Sequence, residues 1–347
     1  MVADVAIAGG GPAGSALAIE LGRRGVRVNL YEKARHPRLK ACGEGLLPHG
    51  VAALSAIAGL PDAPRVRGLR FSVGDASTDA DFPEGFGLVV RRDRFDTWLF
   101  ERAAATPNVD ARMATPYRSD GERVVVGADG RHSQFHRRLD AHRPRHARVG
   151  LSAHVIGLDG VGDRVEVFFH PEGELYIAPT GGGETLVAAL FHQDRFRRDG
   201  ISYLLDTIPA VRDRARHVEF TTPVLAASPL GLRLSRIVDR GVLLIGDAAG
   251  APDPITGDGI AMAMASVTPA ADAIVSGDLA AYERVRLAMG RNADRLGRLL
   301  LAVSRAEGRA AVMLLRKRSL VTTLLDVALG RRDMSAGTLV RALGVGR

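Results

Sequence analysis

The chain has 347 residues, 46% of them hydrophobic and 25% charged. With a mean hydropathy of +0.03, that profile fits one large or two ordinary globular domains and excludes collagen-like, coiled-coil and disulfide-scaffold chains. The net charge of +8 is concentrated: residues 283–347 hold 14 Lys and Arg against 5 Asp and Glu, a net of +9, so the remainder sums to −1 and the excess does not read as a nucleic-acid footprint.

No apolar run approaches the roughly 20 residues that span a bilayer. No basic region precedes a cleavable apolar core at the start, and the single cysteine, Cys42, leaves no internal disulfide and no multi-cysteine metal site. These features predict a cytoplasmic protein. The ten histidines show no metal-ligand spacing, so no metal is expected.

Residues 2–8 (VADVAIA) form a short apolar run of the kind a buried parallel strand needs. Gly9-Gly10-Gly11-Pro12-Ala13-Gly14 follows, then a helical stretch with Ala16, Leu17, Ile19 and Leu21 on its packing side and Gly25 at its end. Val26–Tyr31 is a second strand closed by Glu32. Strand, G-x-G-x-x-G, helix, strand and acid in this order predict a dinucleotide site. Gly9 allows the tight turn, Gly11 lets backbone approach a pyrophosphate, and Gly14 lets helix and strand pack closely. Pro12 and Ala13 open the helix whose N-terminus faces the phosphates. Glu32 is placed to accept from a ribose diol. This motif alone does not distinguish NAD from FAD.

Two later stretches do. Val124–Gly127 runs into Ala128-Asp129-Gly130-Arg131-His132-Ser133, and Val242–Ile245 runs into Gly246-Asp247-Ala248-Ala249-Gly250. The second continues through Pro254-Ile255-Thr256-Gly257-Asp258-Gly259-Ile260 into a small-residue helix. With these and the stretch Val90–Leu99, the sequence resembles the FAD-dependent monooxygenases of the p-hydroxybenzoate hydroxylase type and the related geranylgeranyl reductases. The resemblance implies that Gly9, Gly11, Gly14 and Glu32 hold the ADP half of FAD and that Arg92 reaches its phosphates or adenosine. Asp129 and Gly130 would brace the pyrophosphate, although Asp129 also reads as an ordinary turn residue. Asp247 would bind the ribityl chain. Pro254, Gly257, Gly259 and Ile260 would lie along the isoalloxazine. No second G-x-G-x-x-G follows a strand, so NAD(P)H would bind only transiently as reductant.

The resemblance sets the expected fold class: α/β, a Rossmann-type FAD-binding domain interleaved with an antiparallel β-sheet substrate domain, plus C-terminal helices. The FAD-binding domain is expected over 1–65, 91–146 and 229–285, the substrate domain over 66–90 and 147–228, and the helical segment over 286–347. Arg164–Phe169, Glu174–Pro179 and Thr185–Leu190 alternate as strands do. The chain between Val109 and Gly127 is short for the family, which predicts a trimmed β-meander. Cys42-Gly43 sits where the family chain passes the flavin, and geranylgeranyl reductases carry a similar pair. Cys42 and Gly43 therefore read either as a flavin-side contact or as small residues permitting close packing. His49 reads either as a residue lining the same cavity or, as a lone histidine more often is, as a structural one.

The activity expected first is a monooxygenase that hydroxylates or epoxidises a hydrophobic or aromatic small molecule with NAD(P)H and O₂. The alternative is a reductase saturating isoprenoid double bonds. A halogenase is disfavoured, because the single Trp98 does not make that family's paired-tryptophan signature. Residues 290–329 read as two helices. Leu296, Leu299, Leu300, Val303, Ala310, Val312 and Leu314 recur at helical spacing, as do Leu320, Leu324, Leu325 and Ala328. Arginines such as Arg291, Arg295, Arg298, Arg305, Arg309 and Arg316 fill the rest. The segment is a structural cap, or a surface for peripheral contact with an anionic membrane.

Overall fold

The strand Val5–Ala8 is wholly buried and lies parallel to Val28–Glu32, with Val5 opposite Val28 and Ala8 opposite Tyr31. An apolar strand without alternation suits a parallel sheet covered on both faces. Between them runs the helix Pro12–Arg23, which Pro12 opens at its first turn and Gly25, at φ +79°, ends. Leu17, Leu21 and Leu30 are fully buried here, each contributing roughly 1.5–3 kcal/mol. The computed structural model describes residues 4–119, 121–139, 148–305 and 317–343.

These elements belong to a six-stranded sheet. Its order is Val238–Asp239, Val242–Leu244, Val124–Gly127, Val5–Ala8, Val28–Glu32 and Val109–Met113. All neighbours are parallel except the edge pair Val238–Asp239 with Val242–Leu244. Three separated stretches of chain thus build one layer. Every βα turn at the carboxyl end of its central strands opens on the same side, the usual place for a ligand in such sheets.

The second layer is an eight-stranded sheet. In order, its strands are Glu219–Phe220, Arg148–Ile156, Glu184–His192, Gly173–Gly181, Arg164–His170, Gly68–Val73 and Ala76–Asp81, with Leu225–Leu230 also paired to Arg148–Ile156. The sheet is mixed where an antiparallel one was expected, since Arg164–His170 runs parallel to Gly68–Val73. A parallel neighbour needs a long crossover, and the chain between these two strands supplies it by building part of the first layer. One face packs Leu151, Val155, Phe168, Leu175, Val187 and Phe191 against Ile201, Leu204 and Leu205 of the helix Gly200–Thr207. The other face is turned to the first layer.

A three-stranded sheet of Gly45–Leu46, Gly87–Val89 and Arg65–Val66 joins the layers. Its ladders pair Leu46 with Leu88 and Val66 with Gly87. Hydrogen bonding therefore crosses the boundary expected at 65/66.

The C-terminal helices begin earlier than expected. Gly277, at φ +81°, ends the helix Val267–Ser276, and Asp278 Oδ1 accepts the Ala281 N–H at 3.1 Å. The next helix accordingly spans Leu279–Arg305, followed by Arg318–Ala328 and Ala336–Leu343. Leu296 and Val327 are buried together, with Leu299, Leu300 and Leu324 packed against them. The side chains of Val303 and Arg305, and all of Arg309, Ala310, Val312, Leu314 and Arg316, lie outside the described residues. Among the described residues, the helical run Gly259–Ser276 is long and apolar enough to cross a membrane by length and composition, and 61% of it is buried within the protein. It packs internally: a Cβ on Gly50 would come within 2.5 Å of Ala261, and Ala270, Ala271 and Ile274 belong to the main core.

Candidate active site

The glycine turn is built by close approach. Gly9 has φ +116°, and a Cβ there would lie 2.4 Å from the Ala128 carbonyl oxygen. A Cβ on Gly14 would lie 1.9 Å from the Gly9 carbonyl oxygen, so any larger residue would push the helix off the strand. Gly11 differs: nothing stands within 4 Å of its virtual Cβ, so its backbone faces open space. Glu32, 3% exposed, ends the second strand. Its Oε2 accepts the Gly10 N–H at 2.9 Å and its Oε1 the Ala34 N–H at 2.8 Å. The carboxylate is thereby fixed beside the turn.

A cavity of about 960 Å³ opens in front of this turn. Gly9, Gly11, Pro12, Ala13, Glu32, Cys42, Gly43, Arg92, Asp129, Gly130, Asp247, Pro254, Gly257, Gly259 and Ile260 all line it. Gly14 lies behind, supporting the turn. His49 is not among the lining residues; its Nε2 sits 3.0 Å from Asp258 Oδ1. Burial pushes the Asp258 carboxyl up, and His49 offsets part of that shift.

The loop Lys40–Glu44 crosses the cavity between the layers. Glu44 is buried in the left-handed region at φ +55°. Its Oε1 accepts the Arg92 N–H at 2.9 Å, and its Oε2 lies 3.0 Å from His154 Nε2 on the eight-stranded sheet. The Cys42 N–H donates to Ser152 Oγ at 3.2 Å, and Cys42 Sγ accepts the Glu44 N–H at 3.3 Å. Arg92 grips Asp96 in a two-point ion pair at 2.7 and 2.8 Å. Burial opposes its charge, but Asp96 and Cys42 outweigh burial and raise its pKa. Lys40 lines the cavity with its Nζ 3.9 Å from where a Gly130 Cβ would stand. The Arg92 charge, reinforced by burial, pulls the Lys40 pKa down. Lys40 thus places a cationic group beside Gly130, where an anionic ligand would offset its repulsion from Arg92.

Asp129 has the turn role considered from sequence and also faces the cavity. Its Oδ2 accepts the Gln134 N–H at 3.0 Å, as a turn aspartate does. Its Oδ1 is buried without a partner in the cavity wall. Asp247 lies in the one-turn 3₁₀ element Gly246–Ala249, whose carbonyls are held from the C-terminal helix. Arg286 Nη2 donates to Gly250 O at 2.6 Å and Gly246 O at 3.3 Å, and Tyr282 Oη donates to Leu244 O at 3.0 Å. Asp253 Oδ1 accepts the Ile255 N–H at 3.0 Å, shaping the turn Pro254–Thr256. The same oxygen pairs with Arg148 Nη1 at 2.9 Å, and Arg148 also pairs with Glu174. A buried ion cluster therefore ties this turn to the sheet opposite.

Comparison with known proteins agrees with this geometry. Residues 2–124 match the family model described as an FAD binding domain. The chain is 30% identical over 341 residues to a menaquinone reductase of Mycobacterium tuberculosis, covering 85% of this chain and 81% of that one. It is also 30% identical over 343 residues to a digeranylgeranylglycerophospholipid reductase of Methanothrix thermoacetophila, covering 85% and 86%. The chain belongs to this family of FAD-dependent flavoproteins. Among solved structures, the flavin-dependent brominase Bmp2 superposes with a TM-score of 0.85 at 20% identity, covering 98% of each chain. That likeness establishes the shared fold.

The residues of this flavoprotein fit FAD. The Gly11 backbone faces open space, Asp129 Oδ1 lacks a partner, and Lys40 stands beside Gly130. The protein is an FAD-dependent oxidoreductase. Several residues that shape the site carry no local sequence signal. Lys40, two residues before Cys42, matches no motif of its own. Glu44, His154 and Arg286 act through partners 36 or more positions away.

Proposed function

We propose that this flavoprotein is a reductase that saturates a carbon–carbon double bond in a long isoprenoid chain, with NAD(P)H as the source of electrons. We place it in the cytoplasm, against a membrane that holds its substrate. The cavity carries the reading. Beyond the polar end described above, its wall is apolar, built from Leu69, Phe71, Val167 and Phe169 of the sheet and from Leu296 and Leu324 of the C-terminal helices. That size and lining suit a hydrocarbon chain. The 30%-identical relatives are both named as reductases, and menaquinone and digeranylgeranyl lipids both carry isoprenoid chains. The resemblance that first favoured oxygenation rests on motifs that the two activities share.

Saturation adds a hydride and a proton across the double bond. Bound FAD supplies the two-electron chemistry. The chain's own work is placement. The Gly11 turn and the N-terminus of Pro12–Arg23 would take the pyrophosphate, Glu32 the ribose and Asp247 the ribityl hydroxyls. The apolar wall holds the chain and excludes water. Arg92, fixed by Asp96, and Glu44, fixed by His154, keep the Cys42 loop pressed between the layers.

The deciding experiment is anaerobic turnover. The FAD-loaded protein, NADPH and a prenylated naphthoquinone or geranylgeranyl diphosphate should give a product with two added hydrogens per saturated bond. A product that forms only in air and carries label from labelled dioxygen would replace the reductase with a monooxygenase.

A further inference from the structure

The helix Leu279–Arg305 does more than cover the protein. It crosses directly over the turn Pro254–Thr256: a Cβ on Gly297 would lie 3.6 Å from Thr256 Cγ2 and 3.7 Å from Asp253 Cβ. A Cβ at this position would make ordinary van der Waals contact, so the helix lies directly against the turn. Leu296, the neighbour of Gly297, and, one turn on, Leu300 line the same cavity as the flavin-side residues. The helix Arg318–Ala328 continues that wall with Leu320, Val321, Leu324, Leu325 and Ala328. The cavity thus runs without a break from the flavin-side turn to the seam between the two helices. All of the side chains named along the seam are apolar, and Leu300, Leu324 and Ala328 are only half-buried. A chain leaving the turn would slide along this seam.

We infer that the seam between helices Leu279–Arg305 and Arg318–Ala328 receives the distal end of the substrate's apolar chain, so that Leu324 and its neighbours set how many prenyl units add to binding. This rests on the reductase reading and names what that reading leaves open, the determinant of chain length. The occupant follows from continuity: the groove joins the reaction cavity, and the described side chains that line the seam are apolar. Each prenyl unit brings five carbons into contact with the wall, so affinity rises with length while the seam lasts.

Titration of the FAD-loaded protein with naphthoquinones bearing one, two or four prenyl units, read by the absorbance of bound flavin, tests this. The wild type should bind the four-unit ligand about tenfold or more tightly than the one-unit ligand. Leu324→Trp, which fills the seam, should reduce that ratio to near one. Leu324→Ala, which widens it, should retain the ratio and extend the gain to longer chains. A ratio unchanged in Leu324→Trp overturns the inference, as does an equal loss at all lengths in both variants. Wild-type affinity that ignores length overturns the inference alone and leaves the reductase intact. A wild type that holds FAD but binds none of the three ligands overturns the reductase reading as well.

Discussion

Arg286→Met isolates the link between the C-terminal helix and the flavin loop. Arg286 is 3% exposed, and its Nη2 holds the carbonyls of Gly246 and Gly250 at 3.3 and 2.6 Å. The shorter, charge-assisted bond is worth about 1.5–3 kcal/mol, and the longer one about 1 kcal/mol. Part of that loss is offset, because methionine does not bury a guanidinium whose Nε lacks a partner. A net destabilisation of about 2–3 kcal/mol follows. Unfolding entropy of roughly 2.1 cal/mol/K per residue gives about 0.7 kcal/mol/K for a chain of this size, so Tm should fall by about 3–4 °C. The freed loop carries Asp247, so FAD should also dissociate more readily. Differential scanning fluorimetry, following protein unfolding and flavin release together, measures both. Arg284→Met is the control: Arg284 is exposed and only 3.8 Å from Asp278, and its loss should move Tm by less than about 1 °C. An Arg286 variant that matches this control in Tm and keeps FAD like the wild type would refute the coupling.

Asp247→Ala removes a carboxylate from the cavity wall. It should weaken FAD by about 1.5–3 kcal/mol, roughly 10- to 150-fold, read by the fluorescence of released flavin, while Asp247→Asn retains most of the affinity. Tyr282 is buried, and burial pushes its phenol up to about 12 from the ordinary 10. A folded pKa above the unfolded one means that its stability is complete below about pH 10 and lost as pH climbs through about 12. The wild type should therefore lose about 3 kcal/mol relative to Tyr282→Phe across that window, and urea midpoints that stay parallel for the two proteins would contradict it.

What the sequence discloses here is what acts locally. The glycine turn is legible because strand, turn, helix and acid follow one another within Val5–Glu32, and each residue's task is set by its immediate neighbours. Asp129 and Asp247 come from the family resemblance instead, and the fold places each just after a strand of the same parallel sheet. Pairings between distant stretches are not legible. Arg164–His170 lies parallel to Gly68–Val73 across a long crossover, which no alternation of side chains announces. His49 reads either way from sequence; in the fold it lies 3.0 Å from Asp258 and does not line the cavity. Arg286 sits among other arginines on a basic helix, a pattern that normally means a solvated face. Only the fold reveals that this one points inward to two carbonyls.

That inward arginine also decides how the basic segment is to be tested. We propose peripheral contact between the C-terminal helices and anionic lipid, which would bring the seam to a membrane-held chain. Truncation near Glu283 is a poor test, because it removes Arg286 and the Glu283 carboxylate that accepts the Ile237 and Val238 N–H groups at 2.8 and 3.1 Å. Arg291 and Arg298 are exposed on the same helix, and neither is required by the flavin loop. Each basic residue near an anionic surface contributes about 1 kcal/mol, so replacing both with glutamine should cost about 2 kcal/mol, near thirtyfold in vesicle binding. Co-sedimentation with phosphatidylglycerol vesicles should be salt-sensitive in the wild type and largely lost in the double variant, with bound FAD and Tm unchanged. Equal sedimentation of the two proteins, or none by either, would leave these helices with a structural role and a place in the cavity wall, and no part in reaching the membrane.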